Sequence, residues 1–211
     1  HYLVSFKSVT KAVQAALEIR LLNRQVRKNQ GKGGTGLRIG LSAGVPVTNK
    51  QLIFEDTIKS AERLSAIAGN EIVVSSEVWD LYKSENSKSA VKGKGIRPLG
   101  EAEEAFVTRL MDFTDRHWTN SNLKVADFCK PVGSSRAQFY RKLIAITGKS
   151  PNAFIKDYRL NEALKLLKKK ESNISEIAFE TGFSSPSYFS KCFQKKYGYY
   201  PSGFLRVSPD G

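Results

Sequence analysis

The chain has 211 residues, 40% apolar and 26% charged, enough apolar material for one or two packed cores. Lys and Arg outnumber Asp and Glu by 34 to 20, a formal net charge of +14; such a balance points to a solvated basic surface or to a polyanionic partner, nucleic acid or an anionic membrane face. Two cysteines and two histidines exclude a disulfide framework and a His-based metal cluster, and no apolar run reaches the roughly 18 residues of a membrane span.

Residues 1–100 alternate strand and helix signals. "HYLVSF" (1–6) reads as a short strand already in progress, so the chain reads as a piece of a longer protein. Residues 8–28 place Val9, Ala12, Val13, Ala16, Leu17 and Leu21 at the helical period. "GKGGTG" (31–36) is a flexible turn; it precedes a strand and not a helix, so it fails as a phosphate loop. "LRIGLSAGVPV" (37–47) reads as a strand hairpin pivoting on Gly44. "FEDTIKSAERLSAIAG" (54–69) is an amphipathic helix with Gly69 as its C-cap, and "EIVVSS" (71–76) is a strand. This order predicts a split βαβ, ferredoxin-like α/β domain, and an α+β chain overall. The polar stretch 84–100 is a loop or linker, and the composition changes at about residue 100. The expected domains are therefore 1–100 and 101–211.

After Gly100 only helical periods appear. Residues 103–123 form an amphipathic helix through Phe106, Leu110, Phe113 and Trp118, with His117 at its surface end. Beyond it the chain repeats itself. "GKSPNAF" (148–154) and "GYYPSGF" (198–204) share the frame G-x-x-P-x-x-F. Upstream, Cys129 pairs with Ala178, Gly133 with Gly182, Phe139-Tyr140 with Tyr188-Phe189 and Lys142 with Lys191, before one extra residue shifts the closing frames.

A small residue, then glycine, then serines opening an amphipathic helix describes a helix-turn-helix. Ser134 or Ser135, and Ser184 or Ser185, are the N-caps. Phe139, Leu143 and Ile144 make one buried face; Tyr188, Phe189, Cys192 and Phe193 make the other, and Phe204 is core. The outer faces carry Arg136, Gln138, Arg141 and Lys142, then Ser187, Ser190, Lys191, Gln194 and Lys195. Residues 151–170 form a spacer helix opened by Pro151, with an apolar stripe of Phe154, Ile155, Tyr158, Leu160, Ala163, Leu164 and Leu167. It would hold the two units roughly 25–30 Å apart, near the roughly 34 Å of one B-DNA turn.

"RLNEALKLL", "ISEIAFETGF", "SYFSKCF" and "GYYPSGFLR" within 159–206 resemble the AraC/XylS family of transcription regulators. "SSRAQFYRKLIAITGKSP" is similar to the variant that ends hybrid two-component regulators. The resemblance implies a bacterial, cytoplasmic, sequence-specific DNA-binding regulator or activator whose second helices enter the major groove. It implies base-reading candidates Arg136, Ala137, Gln138, Tyr140 and Arg141 in the first unit, and Ser185, Pro186, Ser187, Ser190 and Lys191 in the second. The phosphate candidates are Ser135, Lys142, Lys149, Gln194 and Lys195. Arg pairs bidentately with guanine and Gln with adenine, so unit one has the stronger reading chemistry. Double-stranded DNA, RNA polymerase and a second copy of the chain are the implied partners, with no membrane, metal or cofactor.

Residues 37–82 resemble the second half of a class III adenylate/guanylate cyclase homology domain, through R-I-G-L-x-x-G and D-T-I-x-x-A-x-R-L-x-x-x-A-G-x-E-I-x-V-S. The family's metal aspartates would fall before residue 1. Its catalytic asparagine position holds Lys59, its arginine position Arg63, and the glycine before D-T is Glu55. The resemblance thus implies a degenerate regulatory, sensory or dimerising domain and no enzyme. A nucleotidyl cyclase fused to a DNA-binding domain is the alternative.

Overall fold

The computed structural model of the chain describes residues 2–30, 36–44, 53–69, 71–87, 95–169 and 172–203. One compact unit ends at Met111 and a second begins at Asp112. The division falls inside a helix, α4 (Glu101–His117), whereas the composition changes at Gly100.

In the first unit, β1 (Ile39–Leu41), β2 (Ile72–Val74) and β3 (Ile96–Pro98) lie side by side in that order, with parallel pairing throughout. Helices α1 (Val9–Gln30), α2 (Ile53–Ile67), α3 (Ser76–Glu85) and the part of α4 up to Met111 complete it, α2 and α3 supplying the crossovers that parallel strands require. Every residue of β2 is buried, as a central parallel strand should be. Val13 and Ala16 of α1 share a core with Ile72, Val74, Val78 and Ile96. Gly40 faces the other way, and a Cβ there would come within 2.4 Å of the Ala61 carbonyl and the Ser65 amide. Helix α2 therefore lies directly on bare strand backbone.

Several expectations for this unit are corrected. Residues 2–6 form no strand, and Tyr2, Leu3, Val4 and Phe6 are exposed. Leu21 faces solvent, because the buried face of α1 runs through Val13 and Ala16. β1 stops at Leu41, and the second arm of the expected hairpin lies outside the described residues, as does the turn 31–35. Helix α2 ends at Ile67, and Gly69 does not take a left-handed φ. β1 and β2 pair directly, so the βαβ unit is not split, and the described strands do not form a ferredoxin-like sheet. The stretch read as a loop holds β3, whose Pro98 fits the sheet edge, where a missing N–H costs nothing.

The second unit continues with α5 (Val125–Cys129), α6 (Arg136–Thr147), α7 (Pro151–Lys169), α8 (Ile174–Glu180) and α9 (Pro186–Tyr197). Phe128 stacks on Phe139 at 5.5 Å under α6. Leu160, Ala163 and Leu167 of α7 pack with Ile177, Ala178, Phe183, Phe189, Phe193 and Tyr197 under α9. The repeat is visible bond by bond. Ser134 N–H donates to the Cys129 carbonyl at 3.0 Å, and Phe183 N–H to the Ala178 carbonyl at 2.9 Å. Gly148 and Gly198 end α6 and α9 in left-handed conformation, each donating N–H to the carbonyl four residues back at 2.8 Å. Pro151 and Pro201 are buried at the starts of the helices that follow.

The register of the repeat is corrected. α6 and α9 are both 12 residues long, and Ser135 and Ser185 are their N-caps. The extra residue of the second copy therefore sits in its turn, where Phe183-Ser184 stands against Ser134, and not after the helix. Phe139 matches Phe189, Arg141 matches Lys191, and Tyr188 matches Gln138 on the outer face. Tyr188 is accordingly 51% exposed and not core. Ile144 is likewise exposed, and Ile146 takes its place in the core. Phe204 lies outside the described residues.

The two turn glycines differ in surroundings. Gly133 has φ +64° and open space around it. Gly182 has φ +75°, and a Cβ there would meet the Thr119 carbonyl at 2.8 Å and the Trp118 carbonyl at 2.9 Å. Gly133→Ala should cost about 1–2 kcal/mol, the left-handed penalty alone. Gly182→Ala should cost clearly more, in urea unfolding read through Trp118 fluorescence in a Trp79→Phe background. Equal losses would show that the close approach relaxes freely.

Candidate nucleic-acid interface

Helices α6 and α9 start from serine caps that leave their N-terminal turns at the surface. Ser135 Oγ accepts from Gln138 N–H at 3.3 Å, and Gln138 Oε1 accepts from Ser135 N–H at 3.1 Å, a reciprocal capping box. Ser185 Oγ accepts from Tyr188 N–H at 3.4 Å, with Pro186 in the first turn. Of the first-unit candidates, Ser135, Arg136, Ala137, Gln138, Tyr140, Arg141 and Lys142 are all exposed. In the second unit Ser187, Lys191 and Lys195 are exposed, while Ser185, Pro186, Ser190 and Gln194 are half-buried. One outward face of α6 thus brings together two guanidiniums, an amide and a phenol. The face of α9 offers hydroxyls, an exposed Tyr188 and two ammonium groups.

Besides the two capping serines, Gln138 and Lys149 are engaged within the fold. Gln138 spends its carbonyl oxygen on the cap, so bidentate pairing with adenine would require that bond to open. Lys149 Nζ lies 2.6 Å from Asp157 Oδ2, an ion pair to α7.

Asp157 is the hub of a network that the sequence did not single out. Its other oxygen, Oδ1, pairs with Lys196 of α9, and Lys196 Nζ also donates to the Asp157 carbonyl at 2.9 Å and to Asn161 Oδ1 at 2.6 Å. Burial opposes ionisation of Asp157, but Lys196 and Lys149 outweigh it and hold the carboxyl below its usual range. Two residues further along α7, Arg159 donates to the carbonyls of Trp118 (2.7 Å) and Asn120 (2.6 Å). Tyr158 donates to Asp115 at 2.6 Å, and burial together with that carboxylate drives its phenol well above the usual range. The available signal was an aspartate on a lysine-rich helix, three residues beyond the buried Phe154.

In the first unit, Glu55, Lys59 and Arg63 all lie on α2. One cavity there, about 300 Å³, is lined by Ser42, Asp56, Thr57, Ser60, Ser75 and Glu104 among others, and a smaller one of about 20 Å³ by Ser60, Arg63 and Glu104 among others; Lys59 lines neither. Among the described residues no three His, Cys, Asp or Glu side chains come together as metal ligands. No described helix is long and apolar enough to cross a membrane.

A carboxyl with a depressed folded pKa contributes stability above its unfolded value, about 3.9 for Asp, and loses it as pH falls through the folded value. Asp157→Asn should therefore destabilise the second unit near pH 7, by about 1.5–3 kcal/mol for charged hydrogen bonds. The gap to the unaltered protein should shrink below about pH 4 as its carboxyl protonates. Urea unfolding at pH 7, 5 and 3 measures it, and a gap that does not change with pH would assign the loss to packing.

Residues 128–206 match the family model described as a helix-turn-helix domain. The chain is 36% identical over 106 residues to histidine kinase P4 of Formosa agariphila, covering 50% of this chain and 8% of that protein. It is 34% identical over 104 residues to the HTH-type transcriptional regulator ExsA of Pseudomonas aeruginosa, covering 49% of this chain and 37% of that one. It thus spans well under half the length of these curated relatives. A crystal structure of a transcriptional regulator with an AraC-type DNA-binding domain from Chromobacterium violaceum is similar with TM-score 0.48 and 25% identity, covering 53% of this chain and 100% of that one. The family model, with the doubled turn geometry, identifies residues 128–206 as a helix-turn-helix domain.

Proposed function

We propose that this chain belongs to a bacterial, cytoplasmic transcription regulator that binds duplex DNA sequence-specifically, its two helix-turn-helix units reading adjacent major grooves. The observation that carries this reading is the matched pair α6 and α9. They have equal length and equivalent serine caps, and a cation, Arg141 or Lys191, stands at the same helical position on each exposed face. The spacer α7 has 19 residues, about 28 Å, which suits successive grooves about 34 Å apart. The net charge of +14 supports a polyanionic partner.

In this reading Arg136, Gln138 and Arg141 discriminate bases, with Ala137 and Tyr140 lining the same face. In the second unit Ser185, Pro186, Ser187, Ser190 and Lys191 make shallower base contacts. Ser135, Lys142, Gln194 and Lys195 hold phosphates, and Lys149 does so only from within its ion pair. The first unit serves as a sensory or interaction domain that holds a second copy, a role resting on the sequence resemblance of residues 37–82. Contact with RNA polymerase belongs to the same reading.

Selection of bound sequences from random duplex DNA, followed by footprinting, should yield two protected half-sites about one turn apart. Affinity should fall steeply and linearly with log salt. Arg141→Ala should cost about 1–3 kcal/mol on the selected site and relax preference at one base pair. Equal weakening on all sequences would make Arg141 a phosphate contact, and no enrichment of any sequence would remove the reading.

A further inference from the structure

We propose that Asp157 is a spacing residue: its single carboxylate ties the ends of both reading helices to α7 and so sets the half-site separation that the domain selects on DNA. This deepens the two-unit reading above and rests on it.

Each carboxylate oxygen serves one unit. Lys149 directly follows Gly148, the C-cap of α6, and its backbone is fixed by N–H donation to Thr147 Oγ1 at 3.1 Å. Its Nζ meets Asp157 Oδ2 at 2.6 Å. Lys196 is the penultimate residue of α9, and all three donors of its ammonium have acceptors on α7: Asp157 Oδ1, the Asp157 carbonyl and Asn161 Oδ1. Tyr197 beside it donates to the Leu160 carbonyl at 3.0 Å. The C-terminal ends of α6 and α9 therefore converge on one turn of α7, and the two ties share one side chain.

The base-facing residues stand at the opposite ends of those helices. Twelve residues make a lever of about 18 Å. A rotation of about 10° at the tie moves the far end about 3 Å, close to one base-pair rise of about 3.4 Å. Apolar packing between helices leaves crossing angles a scatter of about 15–20°. That scatter is between one helix pair and another, so the packing class alone does not specify the angle to within a base pair, and a charged, hydrogen-bonded tie at the fulcrum adds a polar constraint on it.

The test uses the full chain and a library of duplexes carrying two selected half-sites separated by spacers of varied length. The unaltered protein should retain one spacing. Asp157→Ala should retain spacings spread over several base pairs and lose about tenfold on the best paired site, as a looser linkage lowers effective concentration. Asp157→Glu should restore the single spacing. An unchanged spacing in Asp157→Ala, with only a uniform loss of affinity, overturns the proposal. If Asp157→Ala fails to fold by circular dichroism, Lys149→Met, which leaves the Lys196 pair in place, decides on the same criterion. Absence of any paired-site preference in the unaltered protein overturns the two-unit reading itself, and this inference with it.

Discussion

The second unit depends on one helix being buried twice. Phe154 and Ile155 at the start of α7 are buried, and Leu160, Ala163 and Leu167 further along pack under α9. A helix that must satisfy separate cores along its length has little freedom to slide or roll. Pro151 opens it, at a position where the missing N–H is harmless, and Gly148 turns the chain into it. The frame G-x-x-P-x-x-F is thus a joint between helices. It sets where α7 starts and leaves the outward chemistry to the helix before it.

Charge is distributed by the same constraint. A net charge of +14 suggests a uniformly basic exterior, yet Lys149 and Lys196 are drawn into ties with α7, and Arg159 serves backbone carbonyls. These cations hold the scaffold together. Arg136, Arg141 and Lys191, on the outer faces, remain exposed. Counting basic residues overstates an interface wherever an acid such as Asp157 is half-buried among them, because partly desolvated carboxylates need cationic partners and recruit the nearest ones.

The doubled helix-turn-helix was legible in the sequence because its signals are local: glycine where φ is positive, serine at the cap, apolar residues at the helical period. The register within the repeat was not. Letter matching placed Tyr188 against Phe139, since both are aromatic and next to another ring, and only the cap positions show that Phe189 is the buried one. Its position in the family resemblance and its amide chemistry place Gln138 among the base readers; the spacing Ser135-x-x-Gln138 is equally a capping-box signature, and the structure shows that bond made. In the first unit the strands are three residues long, too short to display a period, and β3 is closed by a proline that reads as loop. Parallel pairing is non-local and leaves no mark in any one segment. Asp157 was invisible for a related reason, since its partners come from segments on either side of α7.

The added turn residue explains why the two units differ in what packs beneath their second helices. In the first, the ring beneath the reading helix comes from α5, where Phe128 stacks on Phe139 at 5.5 Å. The matching position of α8 is Ile177, which leaves room, and the longer turn fills it with Phe183, 5.2 Å from Phe189 in edge-to-face contact. Phe183 is buried at 4% exposure, so the added residue is a core residue carried by a turn. Counted from the aligned caps, Pro186 and Ser187 stand where the first unit has Arg136 and Ala137. The added residue lies ahead of the cap, so it changes what packs under α9 and leaves the positions on its outer face in register with those of α6. A requirement of core volume thus accounts for the longer turn, while the contrast between the outer faces, guanidiniums on α6 against hydroxyls and ammonium groups on α9, is set by the residues of the two helices themselves.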